Sequence, residues 1–252
     1  ILKDTIAVIH LAAITDAERS VDREKEVNRI NFNGTEIIAR ACAKNSVPFI
    51  MISTTSVYGS QKDKVDETCE KLYPQSPYAS SKLNAELLLK KLSLEMGLKF
   101  VILRFGTIFG KSIGMRFHTA VNKFCWQATL NQPITIWETA YDQYRPYLDI
   151  TDATTLIYHI IEKKLFNNDI YNAVTTNATV RDIVNIISKE VSEVKIEFVK
   201  SEIMNQLSYH VVANRIQKLG FNFRGNLTKG VQETMQQLHG IRSKFPIKVI
   251  VQ

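Results

Sequence analysis

Tyr78 and Lys82 stand four residues apart in the run Ser76-Pro77-Tyr78-Ala79-Ser80-Ser81-Lys82. Helical residues at this spacing share a face, so a phenol and an ammonium can enter one pocket together. A phenol titrating near pH ~10 is a poor base at neutral pH, and a fixed cation beside it favours the phenolate and brings it toward working range. The spacing recurs at Tyr58 and Lys62, and in a chain with nine tyrosines a chance match is expected, so context decides between them. Gly59-Ser60 between the first pair reads as a turn, which would hold nothing on one face. Tyr78 follows a capping serine and a proline suited to a first helical turn. Tyr78 is therefore the candidate and Tyr58 a structural residue.

Alternating strand and helix patterns supply the elements that must position this pair. Residues 5–11 and 47–52 are short, continuous apolar runs of the kind buried on both faces of a parallel sheet, and 99–105 is a third. Small residues, Ala12-Ala13, close the first strand, and four hydroxyl residues, Ser53-Thr54-Thr55-Ser56, follow the second. Open α/β sheets bind ligands at such strand ends, and at least one of these hydroxyls is placed to meet one. A helical pattern over 27–43 is interrupted at Asn31 and Gly34, and Asn31 reads either as a surface residue or as one that reaches inward to hold a loop or ligand. The alternation predicts a doubly wound parallel sheet over 1–110, to which 149–174 returns. Residues 111–240 then form a smaller α/β substrate-binding region, with Asp152 as cap of a helix over 153–163 and a terminal helix over 227–239. The segment 241–252 is an extension of no assigned role, strand-like at 248–251.

Gly106 to Ser112 looks like a phosphate loop, but that motif needs glycine at Phe105, so the reading fails. Cys42, Cys69 and Cys125 are odd in number and widely spaced, which argues against a disulfide framework and fits a reducing compartment. The five histidines lack the local spacings of common zinc sites, so no metal is expected. The net charge of +7 is spread along the chain, which points to a solvated basic surface or a phosphate-bearing small molecule rather than nucleic acid. No apolar run reaches the ~20 residues of a membrane span, and the default location is the cytoplasm.

Taken together, these motifs resemble the extended short-chain dehydrogenase/reductase family, in particular its NAD-dependent epimerase/dehydratase group acting on nucleotide sugars. His10-Leu11-Ala12-Ala13, Asn31-Phe32-Asn33-Gly34-Thr35, the stretch from Ser53 to Gly59, Tyr78 with Lys82, and Arg145 to Asp152 match that group's motifs in order. The resemblance implies a Rossmann-type fold and NAD as cofactor. NADP stays open, because the family's Gly-rich turn and ribose-reading residue are not in this chain and would precede Ile1. It implies that Thr54 hydrogen-bonds the reacting hydroxyl, that Tyr78 takes its proton, and that Lys82 lowers the Tyr78 pKa while binding nicotinamide ribose. Leu11, Ala12, Ala13, Ser53 and Phe105 would line the cofactor and Asn31 would support that site. Thr55, Thr107 and Arg145 would meet the substrate, Arg145 through its phosphate. The acid/base pair of the family's 4,6-dehydratases is replaced by Thr55-Ser56, which argues against that reaction, and Thr107 replaces an asparagine that many members carry. The implied activity is epimerisation or a related oxidoreduction of a nucleotide-sugar. Dehydrogenation of a small hydroxy or amino acid such as threonine, or a non-catalytic dinucleotide sensor, remain alternatives, and the helices around Asn31 and Tyr78 suit a homodimer.

Overall fold

A computed structural model describes residues 2–17, 20–59, 61, 64–200 and 209–241. The chain enters through strand β1 (Val8–His10), a single helical turn α1 (Glu24–Val27), a π-helical stretch (Asn28–Asn33) and helix α2 (Gly34–Lys44). Strand β2 (Phe49–Thr54) leads through a 3-10 turn (Thr55–Tyr58) and the short β3 (Lys64–Val65) to the 20-residue helix α3 (Pro77–Met96), followed by β4 (Phe100–Phe105) and β5 (Thr107–Phe109). Beyond these come α4 (Ala120–Thr129), β6 (Ile134–Trp137), β7 (Arg145–Asp149), α5 (Ile150–Glu162), β8 (Asp169–Ala173) and β9 (Thr176–Ala178). The described chain ends with α6 (Val180–Ile187), β10 (Ile196–Val199), β11 (His210–Val211), α7 (Asn214–Gln217) and α8 (Leu227–Leu238).

The main sheet has the order β1-β2-β4-β8 with every pairing parallel. Parallel pairing brings His10, Thr54, Phe105 and Ala173 to the same edge, the one where such sheets receive ligands. Strand alternation divides the core between the two faces. Phe49, Met51, Phe100 and Ile102 pack with Ala39 and Cys42 of α2 and Ala85, Leu88, Leu89 and Leu92 of α3. Ile50, Val101 and Leu103 point the other way, toward Ala153, Leu156 and Ile160 of α5. Helices on both faces make this a doubly wound sheet. A separate apolar cluster joins Phe109 and Ile134 to Val121 and Phe124 of α4, Ile183 of α6, and Val231 and Met235 of α8. The small sheets β5-β7-β9 and β6 with β10 adjoin it, whereas β3 with β11 packs into the core on the α5 side.

Three local expectations change. The helix over 27–43 is built in pieces, because the stretch from Asn28 to Asn33 is wound as a π-helix before α2 resumes regular geometry. β2 runs two residues past the apolar run, so Ser53 and Thr54 belong to the strand. The cap of α5 is Asp149, whose carboxylate accepts from Thr151 N at 2.8 Å. Asp152 lies inside the helix, where its carboxylate accepts from Thr175 Oγ1 at 2.6 Å and from the amides of Arg224 and Gly225 at 2.8 and 3.0 Å. The strand-like residues 248–251 lie outside the described residues.

Candidate functional site

Helix α3 starts where its sequence says it should. Ser76 Oγ accepts from Ala79 N at 3.2 Å, Pro77 occupies the first turn, and Gly97 closes the far end in the left-handed region. This sets the first turn of α3 against the carboxyl end of β2. The Tyr78 phenol there lies close enough to the Thr54 hydroxyl for it to act on the phenol's ionisation. Thr54 Oγ1 also accepts from Ser56 N at 3.1 Å and lies 3.1 Å from Ser56 Oγ, so the 3-10 turn after β2 holds it in place. Lys82, one turn along α3, is buried with 3 % of its surface exposed and donates to the Ile52 carbonyl at 2.8 Å.

These groups open into a cavity of about 500 Å³ at the sheet edge. Leu11 and Ala13 from the loop after β1, Ser53 to Ser56 at the end of β2 and the turn after it, and Phe105 and Thr107 around the end of β4 share its walls with Tyr78 and Lys82. The Ser53 hydroxyl turns away from it to donate to Glu86 Oε1 at 2.5 Å, and the Thr55 hydroxyl donates to the Phe105 carbonyl at 3.3 Å.

Three expected contacts fall elsewhere. Ala12 is exposed and does not line the cavity, since the chain alternates past the end of β1 and turns it outward between Leu11 and Ala13. Asn31 is wholly buried behind the wall: it accepts from Ile14 N at 2.8 Å and donates to Ile14 O at 3.0 Å and Ser81 Oγ at 3.1 Å. It ties the loop after β1 to α3 without facing the cavity. Arg145 is held on β7, its guanidinium over the Tyr209 ring at 5.7 Å and donating to Gln143 at 3.2 Å, and is not among the lining residues. The guanidinium that does line the cavity is that of Arg116, which donates to Thr15 Oγ1. Arg116 and His118 lie in the stretch from Gly110 to Thr119, which has no regular element to place them, and Asn122 is a polar residue within α4 whose pattern does not tell which side it faces.

Tyr58, at the competing tyrosine spacing, is buried, donates to Asn172 Oδ1 at 2.9 Å and lies under the Arg104 guanidinium at 4.9 Å. It is a core residue. The turn that follows it depends on Gly59, whose φ of 62° and close approach to the Tyr73 carbonyl leave no room for a side chain.

Burial dominates the electrostatics. It pushes the Tyr78 phenol up from its usual value, the nearby Thr54 hydroxyl opposing. It pushes the Lys82 ammonium down to about 8, with Glu86 pulling the other way. His10 at the end of β1 is lowered by burial and by Lys82. The expected lowering of the Tyr78 pKa by Lys82 is therefore not what prevails here: the ammonium points at the Ile52 carbonyl and desolvation of the phenol wins. A phenol, a buried ammonium, a hydroxyl and a wall of small residues suit the ribose and carboxamide end of a nicotinamide nucleotide. The sequence contains no Gly-x-x-Gly-x-x-Gly turn, so a pyrophosphate cradle of that type is not among the residues present.

The sequence is 27% identical over 249 residues to a trifunctional UDP-glucose 4,6-dehydratase/UDP-4-keto-6-deoxy-D-glucose 3,5-epimerase/UDP-4-keto-L-rhamnose-reductase of Arabidopsis thaliana, covering 94% of this chain and 36% of that protein. It is 27% identical over 240 residues to the dTDP-D-glucose 4,6-dehydratase of Bos taurus, covering 91% of this chain and 66% of the relative. The chain thus spans about a third of the length of the plant enzyme. Among solved structures, UDP-glucuronic acid 4-epimerase from Bacillus cereus, in complex with UDP-glucuronic acid and NAD, superposes with a TM-score of 0.83 at 26% identity, covering 94% of this chain and 77% of that one. The UDP-glucose 4-epimerase of Thermus thermophilus, complexed with NAD, shares the fold at a TM-score of 0.84 and 20% identity, over 93% and 78% of the two chains. The sequence model of one family matches residues 2–173, which carry the main sheet, α3 and the walls of the cavity, and on that match this chain belongs to the NAD dependent epimerase/dehydratase family.

Proposed function

We propose that this chain acts on a nucleotide-sugar as an NAD-dependent epimerase or related oxidoreductase, with Thr54, Tyr78 and Lys82 as its reacting set. The observation that carries the reading is that Thr54, Tyr78 and Lys82 line one cavity at the sheet edge, with the Thr54 hydroxyl close enough to the phenol to act on its ionisation. A carbinol hydroxyl entering between the two oxygens meets one group able to accept its proton and another able to steady its oxygen. Nicotinamide, when bound, supplies the hydride acceptor. Tyr78, once ionised, would receive the hydroxyl proton as the carbinol becomes a carbonyl, Thr54 would donate to the carbinol oxygen, and Lys82 would hold positive charge beside the phenolate and the nicotinamide ribose. Leu11, Ala13 and Phe105 would line the nicotinamide, Thr55 and Thr107 would meet the sugar, and Arg116, the arginine among the lining residues, would take the phosphate contact expected of Arg145. Neutral Thr55 and Ser56 supply no second carboxylate for dehydration, which favours epimerisation or simple oxidoreduction.

Tyr78→Phe in the full-length protein lowers turnover at least ~100-fold if the phenol is the base. Assays on UDP- and dTDP-sugars that follow both NADH absorbance and the product epimer test the reading. Unchanged turnover in Tyr78→Phe overturns the catalytic assignment, and net NADH from free hydroxy or amino acids with none from nucleotide sugars overturns the substrate class. The reading includes a homodimer through α2 and α3, which pack together and leave Ile37, Leu87 and Leu94 exposed at 67%, 56% and 89%. Sedimentation of the wild type and a Leu87→Glu, Leu94→Glu variant checks this, with the variant expected as monomer.

A further inference from the structure

Glu86 lies one helical turn behind Lys82 on α3, directed away from the cavity and only 1% exposed. Its carboxylate is fully engaged. Oε1 accepts from Ser53 Oγ at 2.5 Å and Arg104 Nε at 3.0 Å, and Oε2 accepts from Arg104 Nη2 at 2.6 Å. One carboxylate thus ties α3 to β2 and β4 at the level of the reacting groups. It also stands among two buried cations, because Arg104 and Lys82 are each 3% exposed. The Lys82 ammonium meets a carbonyl oxygen at Ile52 and no carboxylate within salt-bridge distance among the described residues. Arg104 spends its own charge on Glu86 and on the Tyr58 ring, and its Nη1 has no partner among the described residues.

We infer that Glu86 is a positioning residue whose charge, shared between Arg104 and Lys82, keeps the Lys82 ammonium protonated behind the reacting phenol. The inference deepens the proposed function, since it gives the lysine the charge which that reading requires. The groups that bear on Lys82 are few: Tyr78 and Glu86 on its own helix, His10 on β1, the Ile52 carbonyl and Ser53 on β2, and Arg104 on β4 through Glu86. His10 is lowered by burial and by Lys82, and Glu86 is the one carboxylate in this set. Without it, two buried cations face each other across a neutral site, and the lysine is the one able to release a proton.

The consequence is visible in stability, without cofactor or substrate. Lys82 titrates near 8 in the folded chain and near 10.5 when unfolded, so between those values the unfolded state binds more protons and stability rises with pH. In Glu86→Gln the folded value drops further, and the rise opens lower by roughly one pH unit. Buried Cys42, Cys125, Tyr58 and Tyr78 are shifted upward and pull stability down at alkaline pH; the cysteines cancel in the difference between variant and wild type, and the Lys82→Met background separates the lysine from Tyr58, which lies under Arg104. Melting temperatures of the full chain are therefore compared from pH 7 to pH 9 for wild type, Glu86→Gln, Glu86→Asp and the Lys82→Met versions of each. The expected result is a pH-dependent difference between Glu86→Gln and wild type that vanishes in the Lys82→Met background, with Glu86→Asp following wild type. A pH-independent offset, or a difference that survives Lys82→Met, overturns the inference and leaves Glu86 as a structural tie. Should Glu86→Gln not fold, Glu86→Asp decides, and a window displaced although the charge is kept overturns it. In turnover, Glu86→Gln brings the alkaline limb of the kcat/KM profile down by the same interval. An inactive wild type would sink the proposed function while leaving the stability result to stand by itself.

Discussion

At the scale of single residues, this site depends on side chains that never touch a ligand. Asn31 lies outside the cavity, yet it satisfies both the amide and the carbonyl of Ile14, whose loop carries Leu11 and Ala13 into the wall. The Thr35 hydroxyl donates to the Asn31 carbonyl at 2.6 Å, filling a backbone acceptor in the π-helical stretch. Asn31→Ala leaves the Ile14 groups and Ser81 short of a partner, and a lost buried hydrogen bond with its stranded partner costs about 1–3 kcal/mol. Urea denaturation measures that cost. The loosened loop also raises the dissociation constant for NADH by several-fold, read by fluorescence titration, whereas a residue packed only for stability would leave it unchanged. That Tyr78 and Lys82 share one face of a helix, and that hydroxyl residues gather at the end of β2 beside them, was legible from residue type and spacing. The role of Asn31 was legible only as two alternatives, because nothing in a linear sequence tells whether a polar residue on a helix faces loop, ligand or water. Glu86 passed unnoticed for a related reason: inside an amphipathic run, a glutamate looks like any residue of the solvated face until β2 and β4 are laid over it.

Among the elements, those with strong local signals fell where patterning put them. The capping serine and proline set the start of α3, and the apolar runs gave β1, β2 and β4 within a few residues. Errors came where tertiary contacts override the pattern. Asp152 has the residue type of a cap, but Asp149 takes that place because its carboxylate reaches Thr151 N, which frees Asp152 to bind the chain at Arg224 and Gly225. The loop bearing Arg116 has neither alternation nor a capping signal, and its position depends on Asn122, which donates to the Arg116 carbonyl at 3.1 Å. Ser76→Ala tests the element that matters most to the site. Loss of a serine cap costs about 1 kcal/mol. Because the frayed turn is the one carrying Tyr78, kcat is expected to fall more than that change in stability accounts for, while KM for the nucleotide-sugar moves little. Equal loss in Ser76→Ala and in an alanine substitution at the distant cap Asn226 would show that the turn carries no special weight.

For the molecule as a whole, the question is how the cluster beyond β5 is held against the main sheet, since the cavity draws walls from both. β5 joins the two, and one tight contact within the cluster backs onto it. Gly230 on α8 sits against the Phe109 ring, where an added Cβ would lie 2.5 Å from the nearest ring atom. Phe109 ends β5, whose first residue Thr107 and following Gly110 both line the cavity. Gly230→Ala therefore has to push α8 or the ring aside, an overpacking that costs about 1–3 kcal/mol despite the better helix propensity of alanine. Gly34→Ala is the matched control: its added Cβ meets nothing, and it is expected to gain up to ~1 kcal/mol from propensity alone. If the junction sets the width of the cavity, Gly230→Ala also raises KM for the nucleotide-sugar several-fold with little change in NADH affinity, because the displaced wall is the one that carries Thr107. A rise in KM shared by both glycine variants, or a loss of NADH affinity in Gly230→Ala equal to its loss of substrate affinity, would mean that the two walls move together and that the junction does not tune the substrate side alone.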